Sequence, residues 1–319
     1  MGMQTFCHGI DGELLTIPHF RDCHVHFARE GKPLSPEEVC RLGNRWKTYG
    51  IFAVDDMGHK SAAGLDAKRT LAGEIKVRSG GWAIFRKGTY GAFLGKGVSG
   101  EEEIKKAIKE IARAGADFLK VINSGIVSLT GGGTVTEGGF SPEELKIIHG
   151  EALEHNLDMR CHANSEMAIG NALAAGASSI EHGFFISREH IDEMAEKGVA
   201  WIPTVYALQS LAPTLKEAEK RYLAGVIDRH LSSIHYASSV GCMLRIGTDS
   251  GSKGVNHGSS FFDELTLFSK AGLTLPQILS SACVEEEETK KGNFLLVKKD
   301  FMTTREIEAA YQGGKYIRP

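Results

Sequence analysis

Short apolar runs alternate with segments of helical period along almost the whole chain. Candidate strands fall at residues 17–23, 51–55, 76–84, 117–122, 157–161, 178–181, 200–203 and 243–247. Helical patterns lie between them at 36–48, 62–71, 100–114, 142–154, 165–175, 188–196 and 215–239, and another at 260–270 follows the last strand. Three helices open on Ser-x-x-Glu, at Ser35, Ser99 and Ser141. There the serine hydroxyl satisfies an orphan N–H and the glutamate complements the helix dipole. Strict strand–helix alternation requires crossovers and hence a parallel sheet. This pattern predicts an α/β fold, a (β/α)8 TIM barrel, with a doubly wound open sheet as the structural alternative.

Past the last helix, Glu285–Glu288 followed by Lys290 and Lys291 reads as a solvated turn. Two strand-like pieces at 294–297 and 315–317 predict a small satellite sheet, with 13–16 as a pairing partner.

The 319 residues are 42% hydrophobic and 24% charged, which supports a large buried core and excludes a disordered chain. Lys and Arg number 37 against 40 Asp and Glu, a net charge of −3, so there is no basic footprint for nucleic acid or an anionic membrane. No apolar run reaches the ~18 residues of a membrane span, and the first residues lack a basic-then-apolar leader. The six cysteines (Cys7, Cys23, Cys40, Cys161, Cys242, Cys283) show neither Cys-x-x-Cys nor dense spacing. A soluble cytoplasmic protein is expected.

Candidate chemistry gathers at strand ends. His24 and His26 follow the first strand; side chains two apart on a strand point the same way, so both can reach one metal ion. Alone, the pair is also compatible with two incidental histidines near a turn. His162 and His182 directly follow two further strands, and Asp249 follows the last. A barrel brings its strand C-termini to one rim, where four imidazoles and a carboxylate would meet. Such donors suit Zn²⁺, with Mn²⁺, Fe²⁺ and Co²⁺ as alternatives. Five side chains exceed what one open tetrahedral ion uses, so either one is spare or two ions share the site.

Lys120 bears on that choice. It closes the apolar stretch Asp117-Phe-Leu-Lys120-Val-Ile122, a setting that lowers the pKa of an ammonium. A neutral amine can take up carbon dioxide as a carbamate whose two oxygens bridge two cations. A lysine reaching the rim as counter-ion for a substrate carboxylate or phosphate is the other reading. Two glycine-rich stretches, Gly131-Gly132-Gly133 and the loop 87–97, lack phosphate-binding spacing. They are expected to shape a substrate pocket, with Arg86, Lys87, Tyr90 and Phe93 as candidate contacts.

Together, His24-Val-His26, Lys120 in Ala-Asp-Phe-Leu-Lys-Val, His162, Ser-Ile-Glu181-His182-Gly and Gly-Thr-Asp249-Ser-Gly resemble the amidohydrolase superfamily, in its imidazolonepropionase-like and prolidase-like branch. The resemblance runs from about Leu14 to Cys283. It implies one metal on His24, His26 and Asp249, a second on His162 and His182, and a carbamylated Lys120 bridging them. It further implies a metal-bridging hydroxide that attacks an amide-type C–N bond, peptide-like or cyclic, in a small-molecule substrate. Asp249 would serve as proton shuttle, and Tyr206 would hydrogen-bond the developing oxyanion. His257, in the loop after Asp249, is expected either to contact substrate, to orient a ligand, or to be a plain surface-loop histidine.

The sequence also departs from the family pattern. Pro18-His19-Phe20-Arg21-Asp22 replaces the usual Pro-Gly before the His-x-His pair, and His19 should lie below the rim, away from the metals. Few residues precede the first strand, so residues 1–16 and 292–319 are expected to form only a vestigial β-sandwich appendage on a 17–291 barrel. That surface would be available for subunit contact in a homo-oligomer. The rival functions are a mononuclear deaminase on the same barrel and a non-catalytic, metal-stabilised binding module.

Overall fold

A computed structural model describes residues 8–10, 14–129, 135–285 and 287–317. Gly131, Gly132, Gly133, Cys7, Glu13 and Glu286 lie outside the described residues, as do the first residues of the chain.

Two parallel sheets carry the architecture. The larger runs Met243–Leu244, Ala200–Ile202, Ser179–His182, Asp158–Ala163, Phe118–Ile122, Ala83–Arg86 and Gly95–Val98, every neighbouring pair parallel. The smaller runs Phe20–Val25, Ile51–Asp56 and Lys76–Ser79. Backbone hydrogen bonds join them at both sides. Asp117 N donates to Ser79 O at 2.8 Å, and Cys23 N donates to Ile246 O at 2.8 Å, followed by Asp249 N to His24 O at 2.8 Å. Strands this apolar on both faces are what parallel sheets covered by helices require.

The helices form where the pattern places them, with Pro36–Thr48 and Pro142–Glu154 matching it to the residue. Ser35 and Ser141 make full capping boxes with Glu38 and Glu144. Ser99 does not cap with its side chain. Gly100 takes a positive φ, and the carboxylate of Glu103 instead accepts the Ser99 N–H at 3.0 Å. Where one helix is expected, at 215–239, there are two, a short Val205–Gln209 and the long Glu217–Ser239. A helix not anticipated, Leu275–Ala282, starts at Thr274 with Gln277 completing its box. The acidic run ends in one helical turn, Glu287–Lys290, laced by Lys290–Glu287 and Lys291–Glu288 ion pairs.

Two expected strands are each divided. The first becomes Leu14–Pro18 and Phe20–Val25 because the chain changes sheets at His19. Leu14–Pro18 pairs antiparallel with Phe294–Lys298, whereas Phe20–Val25 pairs parallel with Ile51–Asp56. His19 fills the joint: its ring stacks on Phe52 at 3.9 Å and its Nε2 donates to Tyr311 O at 2.9 Å. The third becomes Lys76–Ser79 and Ala83–Arg86, interrupted at Gly80 and Gly81, the latter at φ 67.

Segments from both ends of the chain build a five-stranded antiparallel sheet in the order His8–Ile10, Leu14–Pro18, Phe294–Lys298, Ala309–Gln312, Lys315–Ile317. Leu15, Ile17, Leu295, Val297 and Ala310 on its inner face join the main apolar core. Among the described residues no helix is long and apolar enough to cross a membrane.

Candidate metal centre

The C-terminal ends of the parallel strands bring the expected ligand-type residues together. His24 lies in Phe20–Val25, Lys120 in Phe118–Ile122, His162 in Asp158–Ala163 and His182 at the end of Ser179–His182. Oδ1 of Asp249 sits 3.1 Å from Nε2 of His26 and 3.6 Å from Nε2 of His24. The His182 ring lies between those of His24 (4.9 Å) and His162 (4.6 Å). His24, His182 and Asp249 offer ligand atoms that all fall within 4.8 Å of one another.

Each imidazole is oriented by a partner on its far nitrogen. Nδ1 of His24 meets the Glu181 carboxylate at 2.6 Å, Nδ1 of His26 meets Gly58 O at 2.9 Å, and Nδ1 of His182 meets Thr204 Oγ1 at 2.7 Å. Those contacts leave Nε2 of each ring facing the centre. His162 is turned the other way: its Nε2 bonds Gly125 O at 3.0 Å, which leaves Nδ1 inward. Gly247 lets the strand ends approach this closely, since a Cβ there would lie 2.4 Å from Ile202 and 2.7 Å from the Cβ of His24.

Burial sets the electrostatics. Lys120 is 1% exposed and its Nζ has no hydrogen-bond partner among the described residues. Desolvation pushes its pKa below the ordinary lysine value. His162 falls to about 4 by burial and the nearby Lys120 charge, and His182 falls well below the usual range by burial and its neighbouring imidazoles. Burial opposes ionisation of Asp249, yet the His26 hydrogen bond and the charges of His24 and His26 hold it at about 2. Glu181 is likewise held at about 2 against burial, by the Lys120 charge and by hydrogen bonds with His24 and Ser179.

The expected strand at 243–247 is only Met243–Leu244, and three non-glycine residues at or beyond strand ends lie in the left-handed region: His182 at φ 68, Thr204 at φ 48 and Asp249 at φ 59. Each such conformation costs on the order of 1–3 kcal/mol, and strain of this kind collects at functional turns. The residues fit a divalent metal site. Imidazole nitrogens and an ionised carboxylate converge around an unpartnered, desolvated amine, and His26 alone of the four rings has its pKa raised, against burial, by its Asp249 contact.

The Amidohydrolase family profile matches residues 16–285, which covers every residue of this centre. The chain belongs to the amidohydrolase family. It is 31% identical over 220 residues to an ochratoxinase of Aspergillus niger, covering 67% of this chain and 44% of the relative. The chain thus spans less than half the length of that curated relative. Among solved structures, a Xaa-Pro dipeptidase with bound methionine in its active site superposes with a TM-score of 0.80 at 20% identity, over 95% of this chain and 87% of the other. The A. niger ochratoxinase structure gives 0.75 at 20% identity, over 94% and 82%. At that identity the likeness is one of fold.

Within this amidohydrolase, a cavity of 250 Å³ opens on the centre. His24, His26, Lys120, His162, His182 and Asp249 form its floor; Tyr90, Phe93, Leu94, Ile126, Val127, Phe184 and Leu208 form apolar walls. Tyr90 is where the sequence places a contact, its ring 5.6 Å from that of His162. Other expected contacts lie elsewhere. Arg86 faces a separate surface cleft beside Glu137 and Glu166, and Lys87 pairs with Glu103 on the surface. Tyr206 is not among the residues that line the cavity; the charges nearest its hydroxyl are those of Asp263 and Arg305. His257 is neither on the surface nor in the cavity. It is buried, with Nε2 bonded to His26 O at 2.9 Å, so it braces the backbone between the first strand and its loop.

Sequence reasoning assigned no role to Glu181, Thr204, Asn164 or Lys253. Asn164 and Lys253 line the cavity. Glu181 carried a usable signal, a carboxylate inside the buried run Ser-Ile-Glu-His, which needs a partner to be tolerated there.

Proposed function

We propose that this chain is a binuclear metal-dependent hydrolase that cleaves an amide-type C–N bond in a small-molecule substrate, peptide-like or cyclic. The observation that carries the reading is the buried, unpartnered amine of Lys120 within a ring of four imidazoles and Asp249. His24, His26 and Asp249 would hold one divalent ion, most simply zinc, and His162 and His182 a second. Lys120, carried as a carbamate, would serve both, since a neutral amine adds to carbon dioxide with loss of one proton. Bound there, such ions acidify water toward neutral pKa and draw electron density from a substrate carbonyl.

The remaining work falls to the chain's own groups. Asp249, ionised well below neutral pH, accepts the proton of the attacking water and delivers it to the departing amine nitrogen. Glu181, Gly58 O and Thr204 fix the orientation of three rings through their Nδ1 atoms, which leaves Nε2 of each turned to the centre. The apolar walls exclude bulk water and suit a substrate with a hydrophobic body. The relatives' names, ochratoxinase and Xaa-Pro dipeptidase, support an amide substrate.

The same reading takes the two parallel sheets as one closed (β/α)8 barrel over 17–291, supported by the hydrogen bonds that join them at both sides. The five-stranded sheet is then its reduced sandwich. Metal analysis of the purified chain should find close to two divalent ions, falling toward one in Lys120→Ala, with loss of amide hydrolysis across a panel of N-acyl amino acids and lactams. Full metal content and activity in Lys120→Ala would overturn the binuclear reading.

A further inference from the structure

We propose that Glu264 is a positioning residue for this centre, acting through Thr204 on His182; the inference rests on the metal-centre reading above. Glu264 belongs to the helix Ser259–Lys270, which supplies none of the proposed ligands, and it is wholly buried. Its two carboxylate oxygens accept the backbone N–H of Val205 at 2.8 Å and of Tyr206 at 2.7 Å. These are orphan donors of the first turn of Val205–Gln209, capped from another element rather than by that helix's own N-terminal residue, whose side chain makes no cap.

The residue just ahead of those donors is Thr204. A β-branched residue at φ 48 is disfavoured on its own, so the turn needs something outside itself to hold it. That turn places Thr204 Oγ1 2.7 Å from Nδ1 of His182, accepting its proton and leaving Nε2 for the centre. The carboxylate has no obvious reason to be retained otherwise. The charges that reach it, Asp22 and Asp263, are of like sign, and burial pushes its pKa up to about 8. A glutamine would fill the same space more cheaply, but it offers one accepting oxygen and turns an NH2 toward the second backbone N–H. Two accepting oxygens are what a carboxyl group has and an amide lacks, whether or not it is ionised.

The test is zinc competition against a chromophoric chelator on the full chain, resolving the weaker and tighter ions. Glu264→Gln and Thr204→Val should each weaken the ion held by His162 and His182 about tenfold. The double variant should lose no more than either single one, because both break one relay. Thr204→Ser, which keeps the hydroxyl, should bind as wild type. Wild-type zinc affinity in Glu264→Gln, or a double variant whose loss is the product of the two singles, would overturn the relay. Should Glu264→Gln not fold, Glu264→Asp, one methylene too short to reach both donors, takes its place with the same expected loss. His182→Ala separates the two readings: if it keeps both ions the metal-centre assignment itself is wrong, whereas its loss beside an intact Glu264→Gln refutes only the relay.

Discussion

Replacing Lys120 by methionine should raise the stability of the metal-stripped protein and lower that of the metal-loaded one. Methionine keeps the length and apolar character of the stem while deleting the amine. That amine is 1% exposed and has no hydrogen-bond partner among the described residues. A buried polar group left unmatched costs about 1–3 kcal/mol, so stripped Lys120→Met is expected to match wild type or exceed it by up to that amount. The pH dependence has a definite sign. Burial lowers the folded-state pKa, so between that lowered value and the ordinary lysine value the unfolded chain binds the extra proton and stability rises with pH. The wild-type deficit should therefore fade as the pH climbs toward the ordinary lysine value. With zinc and bicarbonate present the order should invert. A ligand at 100 times its dissociation constant adds about 2.7 kcal/mol to the folded state, and a variant without the bridging group forgoes much of it. Urea denaturation followed by circular dichroism, with chelator and then with zinc, reads both arms. A stripped variant less stable than wild type by over about 1 kcal/mol would mean that the amine is a paired ammonium. Equal stabilisation of both proteins by zinc would mean that it holds no metal.

Two further outcomes follow from the site and the sheet joint. Tyr206→Phe should leave kcat and KM for amide hydrolysis within about twofold, since Tyr206 does not line the cavity; a hundredfold fall in kcat would restore it to the oxyanion. His19, held at about 4 by burial, should cost stability as the pH falls from 6.5 toward 4, because the unfolded chain takes up the proton first. The full effect is up to about 3 kcal/mol, and His19→Gln should flatten the urea midpoint over that range; an unchanged slope would refute the assignment.

The helices and the site were legible in the sequence for the same reason: both depend on local spacing. Pro36–Thr48 and Pro142–Glu154 declare themselves by Ser-Pro-Glu-Glu, and His24, His26, His162 and His182 by following apolar runs. What stayed hidden depends on contacts between distant segments. The break at His19 exists because Tyr311 and Phe52 receive its ring, and neither is near it in the chain. Tyr206 sits two residues from His182's partner Thr204, and its backbone N–H is held by Glu264, 58 positions on. The Ser99 cap failed for a local reason, the positive φ of Gly100, which no spacing rule registers.

The sheet built from both ends of the chain also orders events in time. His19 and the carbonyl of Tyr311 are 292 positions apart, as are, nearly, the strands on either side of them. At ribosomal speeds of about 5–20 residues per second, Leu14–Pro18 waits roughly 15–60 s for its partner strand to be synthesised. Throughout that interval Leu15 and Ile17 lack their sheet neighbours Leu295 and Val297, and the strand's edge is open to whatever else can pair with it. The clasp therefore cannot close until nearly all of the chain that builds the core has been synthesised. The expected signature is that of contacts made late in folding: weakening them should speed unfolding and scarcely slow refolding, and slowed refolding would refute it.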